Sequence, residues 1–209
     1  MKEAVELRSG FGFMALHGGS LERMTDRIAS EAADRSGGSL YAVVQPPDMR
    51  WHLPSVEMSP DASEPLAAFL DHVDVAVAIH GFGREGLWTT LLVGGANREL
   101  ADHVGRHLAP ALDEIEICTD IDGMPAELRG VHSDNPVNRC RDGAGVQLEL
   151  PPGVRGLTPR WAEWAGPALP PPTEALVKAL AEAARSWPAQ GERRSTTQSD
   201  TSPADATRR

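Results

Sequence analysis

Apolar residues recur along this chain as short continuous runs, and two of those runs end in the same way. Residues 11–16 are apolar throughout and stop at His17-Gly18-Gly19; residues 75–79 are apolar throughout and stop at His80-Gly81. A run of that length without alternation is the pattern of a strand buried on both faces. After the first, Thr25 is placed to cap a helix reaching about Arg35, with Met24, Ile28 and Ala32 spaced for one buried face and Gly37-Gly38 as its stop. Ser39–Gln45 reads as a second strand ended by Pro46-Pro47, residues 48–64 as a loop, and Glu64–His72 as a short helix. Beyond the second run, 88–93 is a strand broken by Gly94-Gly95, and Asn97 caps a helix with Leu100, Val104 and Leu108 inward. Residues 114–118 form a short strand and 119–142 a long loop. In 145–150, Val146, Leu148 and Leu150 face the core while Gln147 and Glu149 share the other face, and Pro151-Pro152 ends the strand. Thr173 is expected to cap a closing helix striped by Leu176, Val177, Leu180 and Ala184, and Trp161 and Trp164 to pack as core or as a lid. No element is assigned before Phe11. Strands alternating with helices predict a single α/β domain over 1–187, its open, mainly parallel or mixed sheet flanked by helices.

Composition narrows the function. With 209 residues and 41% hydrophobic content the chain can build a real core. Its formal charge is −10; the last 22 residues hold four Arg against three acidic groups, so the preceding body carries −11. That sign argues against nucleic acid or an anionic membrane as the main partner. The stretch 188–209 is rich in Ser, Thr, Pro and Gln and is expected to be a disordered tail. Cys118 and Cys140 make neither a disulfide framework nor a Cys-rich zinc site. The first ten residues carry charges where a signal peptide needs an apolar centre, and no apolar run approaches the ~20 residues of a membrane span, so a cytoplasmic protein is expected.

The chemistry collects at the ends of the two runs. In an α/β domain reactive groups gather at the carboxyl ends of strands, where loops leave the sheet. If Gly18-Gly19 folds the chain back, Glu22 can share a cation with His17, and a parallel neighbour ending at His80 supplies a third ligand on the same rim. Histidine nitrogen and carboxylate oxygen are ordinary zinc donors, and a catalytic zinc takes three protein ligands. Read alone, His17 could instead cap a backbone carbonyl in a His-Gly-Gly turn. Two further readings stay open. His17 could be the nucleophile of a metal-independent phosphoryl-transfer site, with Gly18-Gly19 cradling phosphate and Arg139 stabilising charge, or the chain could be a binding module without turnover. His52, beside Trp51 in a polar loop, reads as a surface group. His103 and His107 lie four apart, a spacing able to bind metal, but without an intervening catalytic Glu they read as a solvated helix face.

The ordered set His17-Gly-Gly-Ser-Leu-Glu22 with Thr25, Ile79-His80-Gly81, Gly94-Gly95, Asn135-Pro-Val-Asn138-Arg139 and Gly145-Val-Gln147-Leu-Glu149-Leu resembles the poly-γ-glutamate hydrolase family over roughly residues 10–155. The resemblance implies a zinc carboxypeptidase-like α/β fold with one catalytic Zn2+. It implies His17, Glu22 and His80 as the metal ligands and Glu149 as the catalytic glutamate. Asn138 and Arg139 are similar to the Asn-Arg pair that binds substrate carboxylate in carboxypeptidase-like sites. The substrate implied is a small or oligomeric γ-glutamyl compound, cut at its amide bond by a metal-activated water. His and Glu are separated here by four residues where the peptidases have two, so Gly18-Gly19 must provide a different turn.

Overall fold

The two runs that end in His-Gly lie side by side at the centre of a seven-stranded sheet. The computed structural model describes residues 1–164 and 167–188. The chain follows the order β1 (Lys2–Glu6), β2 (Phe11–Gly19), α1 (Thr25–Ser36), β3 (Ser39–Gln45), α2 (Glu64–His72), β4 (Val75–Gly81), β5 (Thr90–Gly94), α3 (Arg98–Leu108), β6 (Glu116–Cys118), β7 (Val146–Leu150) and α4 (Pro171–Ser186). The strand order is β1-β3-β2-β4-β7-β5-β6. β3, β2, β4 and β7 are parallel, while β1 runs against β3 and β5 against β7, with β6 parallel to β5. The sheet is therefore mixed, with its parallel strands in the middle, where both faces are covered and the residues are continuously apolar.

Alternation along each central strand splits the core in two. Phe13, Ala15, Val77, Ile79, Val146 and Leu148 meet Ile28, Leu100, Val104, Leu176 and Leu180 from α1, α3 and α4. Met14, Leu16, Ala76 and Ala78 face the other way, onto Leu66, Phe69 and Leu70 of α2 and onto Val137 and Cys140. The second layer stops short of the strand ends, because α2 is only 9 residues long. His80 and Glu149, paired in register across β4 and β7, project on that side just beyond it.

β1 went unread because Lys-Glu-Ala-Val-Glu is solvated on both faces and offers no apolar run; its order comes from pairing with β3 at the sheet edge. Asn97 caps α3 as expected, its side chain accepting from the Leu100 N–H at 3.0 Å. Thr25 and Thr173 do not cap. Each is buried inside the first turn of its helix and donates its hydroxyl to a neighbouring loop, Thr25 to the Glu22 carbonyl and Thr173 to the Val154 carbonyl. Trp161 and Trp164 stack edge to face at 5.9 Å on the surface, with Trp164 45% exposed, and are neither core nor lid of the cleft described below. Trp88 is also exposed and precedes β5. No helix among the described residues is long and apolar enough to cross a membrane. The expected disordered tail lies, from residue 189 on, outside the described residues.

Candidate metal centre

Three local features bring His17, Glu22 and His80 together. β2 pairs with β3 at Ala15↔Ala42 and resumes at Gly18↔Val44, so Leu16 and His17 together oppose one residue, a bulge that re-aims the histidine at the strand's end. Gly19 then takes a φ of 75°, where an added Cβ would lie 2.2 Å from the Gln45 carbonyl oxygen; only glycine fits this turn. The chain closes back through a Glu22 N–H donated to the His17 carbonyl at 2.9 Å. Met24, among the described residues the one non-glycine with positive φ (78°), completes the turn into α1. Such backbone strain, typically ~1–3 kcal/mol, persists where surrounding structure fixes it.

The resulting geometry is that of a metal site. One ligand atom from each of His17, Glu22 and His80 lies within 4.8 Å of the others. Glu22 sits between the imidazoles, Oε1 at 2.9 Å from His17 Nδ1 and Oε2 at 3.4 Å from His80 Nδ1, while its Oε2 also accepts the Gly81 N–H at 2.9 Å. His17 Nε2 lies 2.8 Å from the Leu53 carbonyl. A carbonyl can only accept, so Nε2 carries a proton, and Nδ1 is the nitrogen turned to the carboxylate. Without a metal that contact is a hydrogen bond from a protonated imidazole; in the neutral tautomer set by Leu53 the same Nδ1 is free to bind an ion shared with Glu22, and a backbone bond that fixes the ring in this way is how a histidine ligand is oriented. His80 Nε2 is buried with no hydrogen-bond partner among the described residues. The donor set fits a divalent ion.

The charge state of the cluster says the same. Burial lowers the His80 imidazole pKa, but the charge and hydrogen bond of Glu22 outweigh it and push the group up to about 9. Burial would raise Glu22; the charge of His80 and the bond to His17 hold it well below the usual carboxylate range instead. The cluster therefore holds positive charge tightly. Metal-stripped protein has a defined pH dependence as a result. The raised His80 contributes stability present below its ordinary 6.5 and lost as pH rises through 9, whereas the depressed Glu22 contributes stability present above its ordinary 4.5 and lost as pH falls. We expect the urea midpoint of the stripped protein to be highest between these limits and to decline on the alkaline side, with metal suppressing that decline. A flat midpoint from pH 6 to 9.5 without metal would contradict this assignment.

Glu149 stands beside the cluster. Its carboxyl is pushed up to about 7, first by burial and then by the Glu22 charge, against the pull of His80. Gln147 Nε2 donates to Glu149 Oε1 at 2.8 Å, and Asn135 Nδ2 donates to Gln147 Oε1 at 2.7 Å, a buried relay that fixes which atom of the amide faces the acid. These groups open into a cleft of about 670 Å³, walled by Pro54, Ser55, Val56 and by the loop from Ala126 to His132. Behind it, the buried Arg155 guanidinium donates to the carbonyls of Leu150, Phe82 and Arg23, tying together the three segments that carry Glu149, His80 and Glu22.

A family model described as poly-gamma-glutamate hydrolase matches residues 1–158. The chain belongs to the poly-gamma-glutamate hydrolase family. Its fold is shared with a solved bacteriophage poly-gamma-glutamate hydrolase, at 22% identity and a TM-score of 0.68 over 93% of this chain and 90% of that one. A zinc-free YndL structure gives 19% identity and the same TM-score over 88% and 89%. A gene product of Agrobacterium tumefaciens, Atu2144, gives 12% identity and a TM-score of 0.51 over 93% and 94%. No curated protein matches the chain in sequence.

Within this family member, four of the six expected site residues meet and two do not. Asn138 is buried behind the cleft and fully engaged with backbone: it accepts from the N–H groups of Ala96 and Gly145 and donates to the carbonyls of Gly130 and His132. Arg139 is exposed and borders a different depression, beside Asp61 and Asp71. Neither side chain lines the cleft: Asn138 clamps the backbone of its wall, and Arg139 leaves the short 3-10 turn Pro136–Arg139 on the α2 side. Asn138→Ala should lower stability by about 3 kcal/mol, as several buried polar groups lose partners, which urea unfolding would read. A KM defect with unchanged stability would restore the binding role. Of the Gly18-Gly19 cradle in the phosphate reading, the Gly19 N–H is already taken by Asp26 Oδ1 at 3.1 Å.

Other site residues were missed from sequence. His52 is exposed, as expected of a surface group, yet its ring lies 4.8 Å from that of His17 and lines the cleft. Its loop is pinned by Gln45, whose amide both donates to and accepts from the backbone of Trp51. The usable signal for Asn135 and the 126–132 wall was loop length: more than 20 residues without regular structure in a compact domain point to function.

Proposed function

We propose that this chain hydrolyses γ-glutamyl amide bonds with one Zn2+ held by His17, Glu22 and His80 and with Glu149 as general base. The observation that carries the proposal is the convergence of three ligand atoms within 4.8 Å beside a carboxyl poised at about 7. Zinc in such a site supplies Lewis acidity, bringing the acidity of water near neutrality and polarising a carbonyl. The chain's own groups do the rest. Glu149, ionised at pH above its raised value, takes a proton from the attacking water and returns it to the departing amine. Gln147, held by Asn135, keeps the accepting oxygen of Glu149 in place. Leu53 and Gly81 fix the ligands through backbone bonds, so little reorganisation accompanies turnover.

Substrate class follows from the family and from the cleft. The cleft is open enough for an oligomer, and among the described residues no Lys or Arg lines it; the groups able to meet a carboxylate beside the metal are the His52 and His132 imidazoles. The body charge of −11 disfavours long polyanions at a distance, though screening beyond about 8 Å at physiological salt limits this. Short γ-glutamyl oligomers or single γ-glutamyl amides are therefore proposed ahead of the polymer. The test pairs metal analysis of the purified chain with a panel of γ-glutamyl and N-acyl amino-acid amides. Near one equivalent of zinc in the cleft and chelator-sensitive cleavage of γ-linked members supports the proposal; normal cleavage after complete chelation removes it.

A further inference from the structure

The pair of histidines expected on a solvated helix face is not there. His103 and His107, one turn apart on α3, are half-buried against the end of α4, their rings 4.8 Å apart and edge to face. Both Nε2 atoms point at one place: His103 Nε2 is 3.3 Å and His107 Nε2 3.1 Å from Ser186 Oγ. A second oxygen, the Ala183 carbonyl, lies 3.0 Å from His103 Nε2. The Trp187 ring covers the pair at 5.2 Å from His103. This cluster lies on the α1, α3, α4 face of the sheet, away from the cleft.

We infer that His103 and His107 form a second metal site, taking a borderline divalent ion such as Zn2+, Ni2+ or Cu2+ between α3 and α4. Two imidazoles four apart on a helix can present nitrogens to one ion, and imidazole donors suit Zn, Ni and Cu over Mg or Ca. Ser186 Oγ and the Ala183 carbonyl supply oxygens at the same place, and water completes the shell. Occupancy requires both rings to hold their proton on Nδ1, a tautomer change that leaves each ring neutral. A bound ion would cross-link two helices whose contact otherwise rests on apolar packing and these few polar bonds.

The test titrates the full chain with Zn2+ by calorimetry and with Cu2+ by tryptophan fluorescence. Wild type should bind one more equivalent than His107→Ala, whatever the cleft binds, and hydrolysis by that variant should be unchanged. His107→Gln, which keeps a polar side chain at the helix surface, should also weaken this site by at least about tenfold. Cu2+ should quench wild-type fluorescence, and Trp187→Phe should lose most of that quench while keeping the extra equivalent. Equal stoichiometry in wild type and both His107 variants would overturn the inference, as would a Cu2+ quench of the same depth in wild type and His107→Ala.

Discussion

Glu149→Gln is expected to lower kcat by about 10²–10⁴-fold, the range for loss of a positioned general base, while the chain keeps its full metal content. Glutamine matches glutamate in size and can still bond to Gln147, so packing at β7 is preserved; what disappears is a group able to take and return a proton. The wild-type carboxyl is buried, and burial together with Glu22 raises it to about 7, so activity should rise through that pH as the base ionises. Gln147→Ala isolates the relay. Its N–H favours the charged form of Glu149, so losing it should move the acid limb of the profile to higher pH and lower kcat by about tenfold, with KM little changed. Initial rates on a γ-glutamyl amide across pH 5 to 9, alongside metal content, read both effects. Wild-type turnover by Glu149→Gln would remove the general-base role even if the metal assignment stands.

What could be read from the sequence was whatever burial on both faces imposes on a strand. Residues 11–16 and 75–79 have no freedom to be polar because helices cover them front and back, and their ends are marked by the first polar side chain and the glycine that lets the chain leave. Residues 145–150 were readable for the same reason on one face only: Val146, Leu148 and Leu150 are core, and Gln147 and Glu149 are buried polar groups that point to the cleft. β1 was not readable, because an exposed edge strand is held by backbone pairing, which any side-chain pattern allows. The capping roles expected of Thr25 and Thr173 failed because a threonine near a helix start satisfies a cap or a neighbouring loop equally well, and tertiary contact decides which.

The site divides along the same line. His17, Glu22 and His80 were legible as three donors at strand ends, but the bulge that turns His17 leaves no mark in the sequence beyond the two glycines after it. Asn138 and Arg139 are adjacent in a 3-10 turn, and successive residues there point in different directions; one is consumed by four backbone bonds while the other reaches solvent. A dipeptide motif cannot say which side faces the cleft. Arg155 carried no signal at all, since its function is to collect carbonyls from three segments that are distant in the chain.

His80→Ala should strip the cleft of metal and of activity together. With His80 gone, two protein donors remain, His17 Nδ1 and the Glu22 carboxylate, and a divalent ion held by two donors in place of three should bind more than about 100-fold more weakly, since even losing a group that only hydrogen-bonds to a ligand costs about 10–100-fold. Metal analysis after dialysis should find the cleft equivalent missing, and hydrolysis should fall to background. The stripped proteins separate a histidine paired with Glu22 from a mere packing residue. In wild type without metal, protonated His80 beside Glu22 contributes a pH-dependent stability on the order of 3 kcal/mol below pH 6.5, which fades as pH rises through 9. The variant lacks that contribution, so the stability gap between the two stripped proteins should narrow as pH increases, leaving only the cost of the cavity at high pH. If His80 served packing alone, the gap would be the same at pH 6 and pH 9.5, and His80→Ala would keep its cleft metal; the first result would refute its charge pairing with Glu22, the second its place as a ligand.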